Sequence, residues 1–96
     1  MINVKSLNFE ADEKLLEYID KKVGKVEKFF DNLGDIDVTL SLLPDAENKS
    51  VKLQTHFPGE DLIVERQART FEEAVTDAAD ALKERIVRAK EKKFSK

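Results

Sequence analysis

Lysines occupy positions 21, 22, 25 and 28, with Lys14 seven residues ahead of the first. At about 100° per residue, all five share one flank of any helix that carries them. Glu13, Glu17, Asp20, Glu27 and Asp31 fall on the other flank. A helix built only for solubility mixes its signs and gains i,i+4 ion pairs. Segregation forgoes some of those pairs, and a single-sign flank suits a polyanion. Each ammonium group can neutralise a phosphate and release its counterions without reading sequence. The competing reading is a solvated lysine face with no partner.

A second, weaker instance lies near the C-terminus. Arg85, Arg88 and Lys92 follow one flank of an apolar stripe, with Glu73, Asp77, Asp80, Glu84 and Glu91 just beyond them. Lys83 and Lys90 lie on the far side. Cations in the last turns of a helix complement its dipole. Three or four suffice for that, whereas residues 81–96 hold seven basic side chains against two acidic ones.

Other chemistry finds little support. His56 is the one histidine, at an alternating position between Thr55 and Phe57 that points to water. Gly24, Gly34 and Gly59 are isolated, so no glycine-rich phosphate loop is present, and there is no nucleophile elbow or HxxxH pair. Asp35 and Asp37 are close in sequence, but turns account for them. With no cysteine, disulfides, thiolate zinc sites and thiol catalysis are excluded. The expectation is a protein that is not an enzyme and needs no cofactor, metal or small-molecule substrate.

The 96 residues amount to one domain, 1–96. Lys and Arg total 17, Asp and Glu 20, for a net charge of −3, with 39% charged and 41% hydrophobic residues. That apolar share is too high for a disordered chain. The net charge argues at face value against a nucleic-acid partner. Its distribution argues the other way: residues 1–35 carry −2, residues 36–80 carry −6 and residues 81–96 carry +5. No apolar run approaches the roughly 18 residues of a membrane span. The start Met1-Ile2-Asn3-Val4-Lys5 has no secretory pattern. The default expectation is a cytoplasmic protein.

The elements that must position these charges follow from periodicity. Ile2-Asn3-Val4-Lys5 begins a strand running to Phe9, with a phase shift before Leu7 that suggests a bulge or an early end. Asp12 caps a helix over 12–33 whose stripe is Leu15, Leu16, Ile19, Val23, Val26, Phe29, Phe30 and Leu33, closed by Gly34 as a left-handed cap. Ile36–Leu42 and Val51–Phe57 alternate as strands around a turn at Pro44–Asn48, and Pro58-Gly59 turns into a fourth strand from Leu62 that fades by Arg69. Thr70-Phe71-Glu72-Glu73 is a capping box for a helix over 71–92, followed by a frayed tail. The order β-α-β-β-β-α predicts an α+β fold. It is a two-layer domain with two helices on one face of a four-stranded, mostly antiparallel sheet, similar in layout to double-stranded-RNA-binding domains.

This order, with Lys22-Val23-Gly24-Lys25-Val26-Glu27-Lys28-Phe29-Phe30, the Pro58-Gly59 turn and Thr70-Phe71-Glu72-Glu73-Ala74-Val75, resembles the ribosome hibernation promoting factor family. That family includes the ribosome-associated inhibitor A proteins and has also been named for modulation of an alternative sigma factor. The resemblance covers essentially the whole chain. It implies binding to ribosomal RNA of the small subunit in the channel between head and body. Messenger RNA and the A- and P-site transfer RNAs would be occluded there, under starvation, without chemistry. It implies that Lys22, Lys25 and Lys28 in the first helix and Arg88 in the second meet RNA phosphates. Lys21, Arg85 and Lys92 extend the two flanks. The family often has Lys where Ala81 stands and Arg where Glu84 stands, and Tyr at the position of Glu72. Arg85 and Lys92 sit on the flank that those changes deplete.

By this resemblance the expectation is the short form of that family, without a C-terminal dimerisation domain. In short-form systems ribosome pairing, where it occurs, needs a separate modulation factor as partner. Two other readings use different surfaces. One is a protein–protein regulatory adaptor working through the sheet face or the acidic middle region. The other is a binder of double-stranded RNA.

Overall fold

The computed structural model describes residues 1–7, 9–30, 33–44 and 48–94, with side chains as far as Glu91. Strand β1 spans Ile2–Leu7, helix α1 Glu13–Phe29, β2 Ile36–Leu42, β3 Lys49–Phe57, β4 Glu60–Ala68 and helix α2 Phe71–Phe94. The four strands form one sheet in the order β1-β2-β3-β4. Strands β2, β3 and β4 are antiparallel neighbours. Strand β1 runs parallel to β2, from Ile2 opposite Ile36 to Leu7 opposite Ser41. Parallel neighbours need a crossover, and α1 supplies it. The α+β, two-helix, four-stranded architecture is as expected, with one parallel pair making the sheet mixed.

Alternation sets the two faces. Ile36, Val38, Leu40, Val51, Leu53, Leu62 and Val64 are buried on one face. Lys52, Gln54, His56, Ile63 and Glu65 are exposed on the other. Helix α2 lies over β3 and β4, while α1 packs along α2 and touches β1. Ile19, Val23, Val75, Ala78, Leu82 and Ile86 are fully buried between the layers. Pro58 and Gly59 join β3 to β4 in a two-residue turn, where Gly59 adopts φ 95°, the left-handed value that glycine takes without strain.

Strands β3 and β4 each begin two residues before the sequence expectation, at Lys49 and Glu60, and three element ends differ from it. Helix α1 ends at Phe29, not at 33, because Phe30 turns to extended backbone (φ −124°, ψ 113°) and buries its ring in the core. Gly34 is therefore not a helix cap. Its N–H donates to the carbonyl of His56 at 2.9 Å, and a Cβ there would stand 3.4 Å from the Cβ of His56. Strand β1 stops at Leu7 in unbroken register, and Phe9 leaves the sheet to stack on Phe71 at 4.9 Å. Helix α2 continues through Phe94, where a frayed tail was expected from Lys92. Asp31, Asp45, Ala46, Glu47, Ser95 and Lys96 lie outside the described residues.

Candidate nucleic-acid interface

The lysine flank is oriented by the stripe beside it. Leu15, Ile19, Val23 and Val26 bury the inner face of α1, which turns Lys14, Lys21, Lys25 and Lys28 outward. Asp12 caps the helix, accepting a hydrogen bond from the N–H of Leu15 at 2.8 Å. Glu13 in the first turn and Lys28 in the last complement the dipole.

Helix α2 meets the lysine side of α1. Thr76 donates its hydroxyl hydrogen to the carbonyl of Glu72 at 2.9 Å. A hydroxyl has one hydrogen, so Tyr18 is the donor in the 2.7 Å bond between Tyr18 Oη and Thr76 Oγ1. Between the helices lies an open groove of about 470 Å³. Its rim carries Lys22, Lys25 and Lys28 from α1 and Lys83 from α2, and Val26, Phe29 and Ala79 give it an apolar surface. Thr76 and Asp80 complete the lining, so four ammonium groups face one carboxylate. The Lys22 ammonium lies 5.5 Å from the centre of the Tyr18 ring, and the Lys83 ammonium lies 4.8 Å from the centre of the Phe29 ring. Phe29 packs its ring edge-on against Phe30 and is still 65% exposed.

The structure thus brings Lys22, Lys25 and Lys28 to one groove and adds Lys83 and Phe29, which sequence reasoning did not assign to the site. The available signal was the pair of small residues Ala79 and Thr76, one and two turns before Lys83, since small side chains let a second helix approach. Lys21 lies outside that groove, beside a second hollow that Lys25 and Lys28 also line, together with Ile2, Asp20, Gly24 and Glu27.

Arg85 and Arg88 are exposed on the flank of α2 turned away from α1. They stand about 160° and 140° around the helix from Lys83. The exposed acidic ridge of Glu73, Asp77, Asp80 and Glu84 runs between the two flanks. Arg88 donates to Glu84 at 3.1 Å, a solvent-exposed pair of small energetic worth. Lys92 is in α2, with its side chain beyond those described. The two basic flanks therefore do not face one groove.

His56 bonds Asp61 through Nδ1 at 2.8 Å on the open sheet face, both side chains exposed. Among the described residues, no three His, Cys, Asp or Glu side chains are grouped to hold a metal ion. No described helix is long and apolar enough to cross a membrane.

Known proteins resemble this chain in sequence and shape. A ribosome hibernation promoting factor from Azotobacter vinelandii is 18% identical over 95 residues, covering 99% of this chain and 87% of that protein. The ribosome hibernation promotion factor of Bacillus subtilis is 27% identical over 92 residues, 94% of this chain and 48% of the relative. The chain thus spans about half the length of the Bacillus protein. Among solved structures, a ribosomal subunit interface protein from Coxiella burnetii superposes with a TM-score of 0.83 at 16% identity, covering 93% of this chain and 96% of that one. The N-terminal domain of Thermus thermophilus Protein Y superposes at 0.75 with 24% identity, covering 91% and 93%. Both structures share the fold. The family described as Sigma 54 modulation protein / S30EA ribosomal protein matches residues 2–93, and the chain belongs to it.

Proposed function

We propose that the chain is a ribosome-associated hibernation factor of the cytoplasm. It binds ribosomal RNA of the small subunit through the groove between its helices and blocks the decoding channel to messenger and transfer RNA. The observation that carries this reading is the convergence of Lys22, Lys25, Lys28 and Lys83 on one groove. Family membership, and relatives named as hibernation factors, support the ribosome as the source of the polyanion. The lysines track phosphates, and position in the channel supplies specificity. Inhibition is occlusion, with the protein making and breaking no bonds. Lys21 widens the contact along α1, and Arg85, Arg88 and Lys92 offer a second line of cations on the outer flank of α2. Where ribosomes pair, a separate modulation factor is the further partner.

The test is co-sedimentation with purified small subunits at low and high salt. Wild-type protein binds at low salt and is released as salt rises. The triple variant Lys22→Glu, Lys25→Glu, Lys28→Glu stays at the top of the gradient. If it sediments with the subunits like wild type, the groove is not the site.

The family description also names modulation of a sigma factor, and the open sheet face exposes Ile63 among Lys52, Glu65 and Gln54. An adaptor working through that face would keep its protein partner in the triple-lysine variant and lose it on Ile63→Lys.

A further inference from the structure

Cations alone do not account for the groove, because a large aromatic ring stands open at its edge. Phe29 is in the last turn of α1, and its successor Phe30 is the one that enters the core. An exposed ring of this size gains nothing in water and costs apolar hydration. Its surroundings are those of a stacking site. Phe30 holds it edge-on with centroids 5.0 Å apart, the Lys83 ammonium covers it at 4.8 Å, and Val26 and Ala79 extend the apolar surface into the groove.

We propose that Phe29 is a platform for one unstacked nucleobase of a single-stranded RNA segment. The base stacks on the ring face that Lys83 leaves open, and Lys22, Lys25 and Lys28 hold the adjoining phosphates. The inference rests on the RNA-binding reading above and deepens it by naming the form of RNA. In a duplex both faces of a base are already covered by its neighbours, whereas a splayed nucleotide presents a free face to an aromatic ring. Four lysines against one aspartate favour a polyanion over an apolar peptide on the same surface.

The chain has no tryptophan, so Phe29→Trp creates a single reporter at this point. The probes are a twelve-nucleotide single-stranded polyadenylate, a twelve-base-pair RNA duplex and a peptide of twelve glutamates. Binding is followed by tryptophan fluorescence and by anisotropy of labelled RNA. Polyadenylate is expected to quench the tryptophan, with the duplex and the peptide leaving it bright. Phe29→Leu weakens polyadenylate binding on the order of ten-fold, Phe29→Tyr restores it, and the dependence on salt keeps its wild-type slope. Circular dichroism shows the Leu variant folded, as expected for an exposed ring.

Wild-type affinity in the Leu variant, or quenching by duplex or peptide equal to that by polyadenylate, overturns the stacking proposal. If Lys22, Lys25 and Lys28 variants still lose binding in that case, the groove remains the RNA site. If those variants also bind as wild type does, the reading of the groove itself fails.

Discussion

Tyr18 on α1 donates its hydroxyl hydrogen to Thr76 on α2, 2.7 Å away. The bond joins the two walls of the lysine groove, and the ring that makes it lies beneath the Lys22 ammonium. Tyr18→Phe keeps the ring and loses the bond. The expected cost is about 1 kcal/mol. That lowers the melting temperature by roughly 4–8 °C in a domain of this size. Thr76→Val should cost a similar amount. The double variant should fall short of the sum, which thermal denaturation of all four proteins checks.

Lys83 and Arg88 lie on opposite flanks of α2, so charge reversal separates two footprints. Lys83→Glu is expected to weaken co-sedimentation with small subunits more than Arg88→Glu does. Every phosphate left without its cation reduces the slope of log affinity against log salt by about 0.7–0.9. Equal losses from the two variants would mean that the RNA spans the acidic ridge between them.

Leu82 is fully buried under α2. Leu82→Ala should destabilise the fold by about 2–5 kcal/mol through lost burial and the cavity left behind. Total stabilities of domains this small run to about 5–15 kcal/mol. Urea denaturation should therefore show a large drop in midpoint with little change in slope.

Two glycines should respond to alanine with opposite signs. Gly59 holds φ 95° in the β3–β4 turn, and Gly59→Ala forces a side chain into that conformation at about 1–2 kcal/mol. Gly24 lies within α1, and a Cβ there meets only Cδ1 of Ile2, at an ordinary 4.0 Å. Gly24→Ala should stabilise by about 0.4–1 kcal/mol, since it reduces the freedom of the unfolded chain. Parallel melting curves decide both.

The amino group of Met1 is held above its ordinary pKa, chiefly by its hydrogen bond to Glu27 and also by the charges of Glu27 and Asp35. A raised pKa means that the folded state binds the proton more tightly than the unfolded state. The resulting stability is complete below the unfolded value of about 8. It is lost as pH climbs through the higher folded value. Glu27→Gln should therefore melt below wild type at pH 7, and the gap should narrow toward pH 10.

Periodicity carried most of the fold. The alternation of Ile36–Leu40 and Val51–Phe57, the cap at Asp12 and the Thr70 hydroxyl, which accepts from the N–H of Glu73 at 3.1 Å, were legible residue by residue, whereas Leu42 continues the alternation in sequence and stands exposed. The end of α1 was not, because Phe29 and Phe30 both fit a helical stripe and only tertiary packing selects which ring enters the core. The lysines of α1 were legible for the same reason as its stripe: one helix sets both. Lys83 escaped because its role depends on which flank of α2 meets α1. Helical spacing within one element says nothing about that. The parallel pairing of β1 with β2 depends likewise on a partner strand some thirty residues away.

The two-layer build also separates some of the charges of a protein whose net charge is −3. Asp37, Asp61 and Glu65 are on the open face of the sheet with Lys52, and the four groove lysines are on the helical side. Even the thinnest dimension of the molecule is 17 Å. At physiological salt the Debye length is about 8 Å. The carboxylates behind the sheet are thus electrically remote from whatever the helices face. A polyanion at the groove would respond to the charges within a Debye length of it, the four lysines and the acidic ridge beside them, rather than to the net charge of the whole molecule.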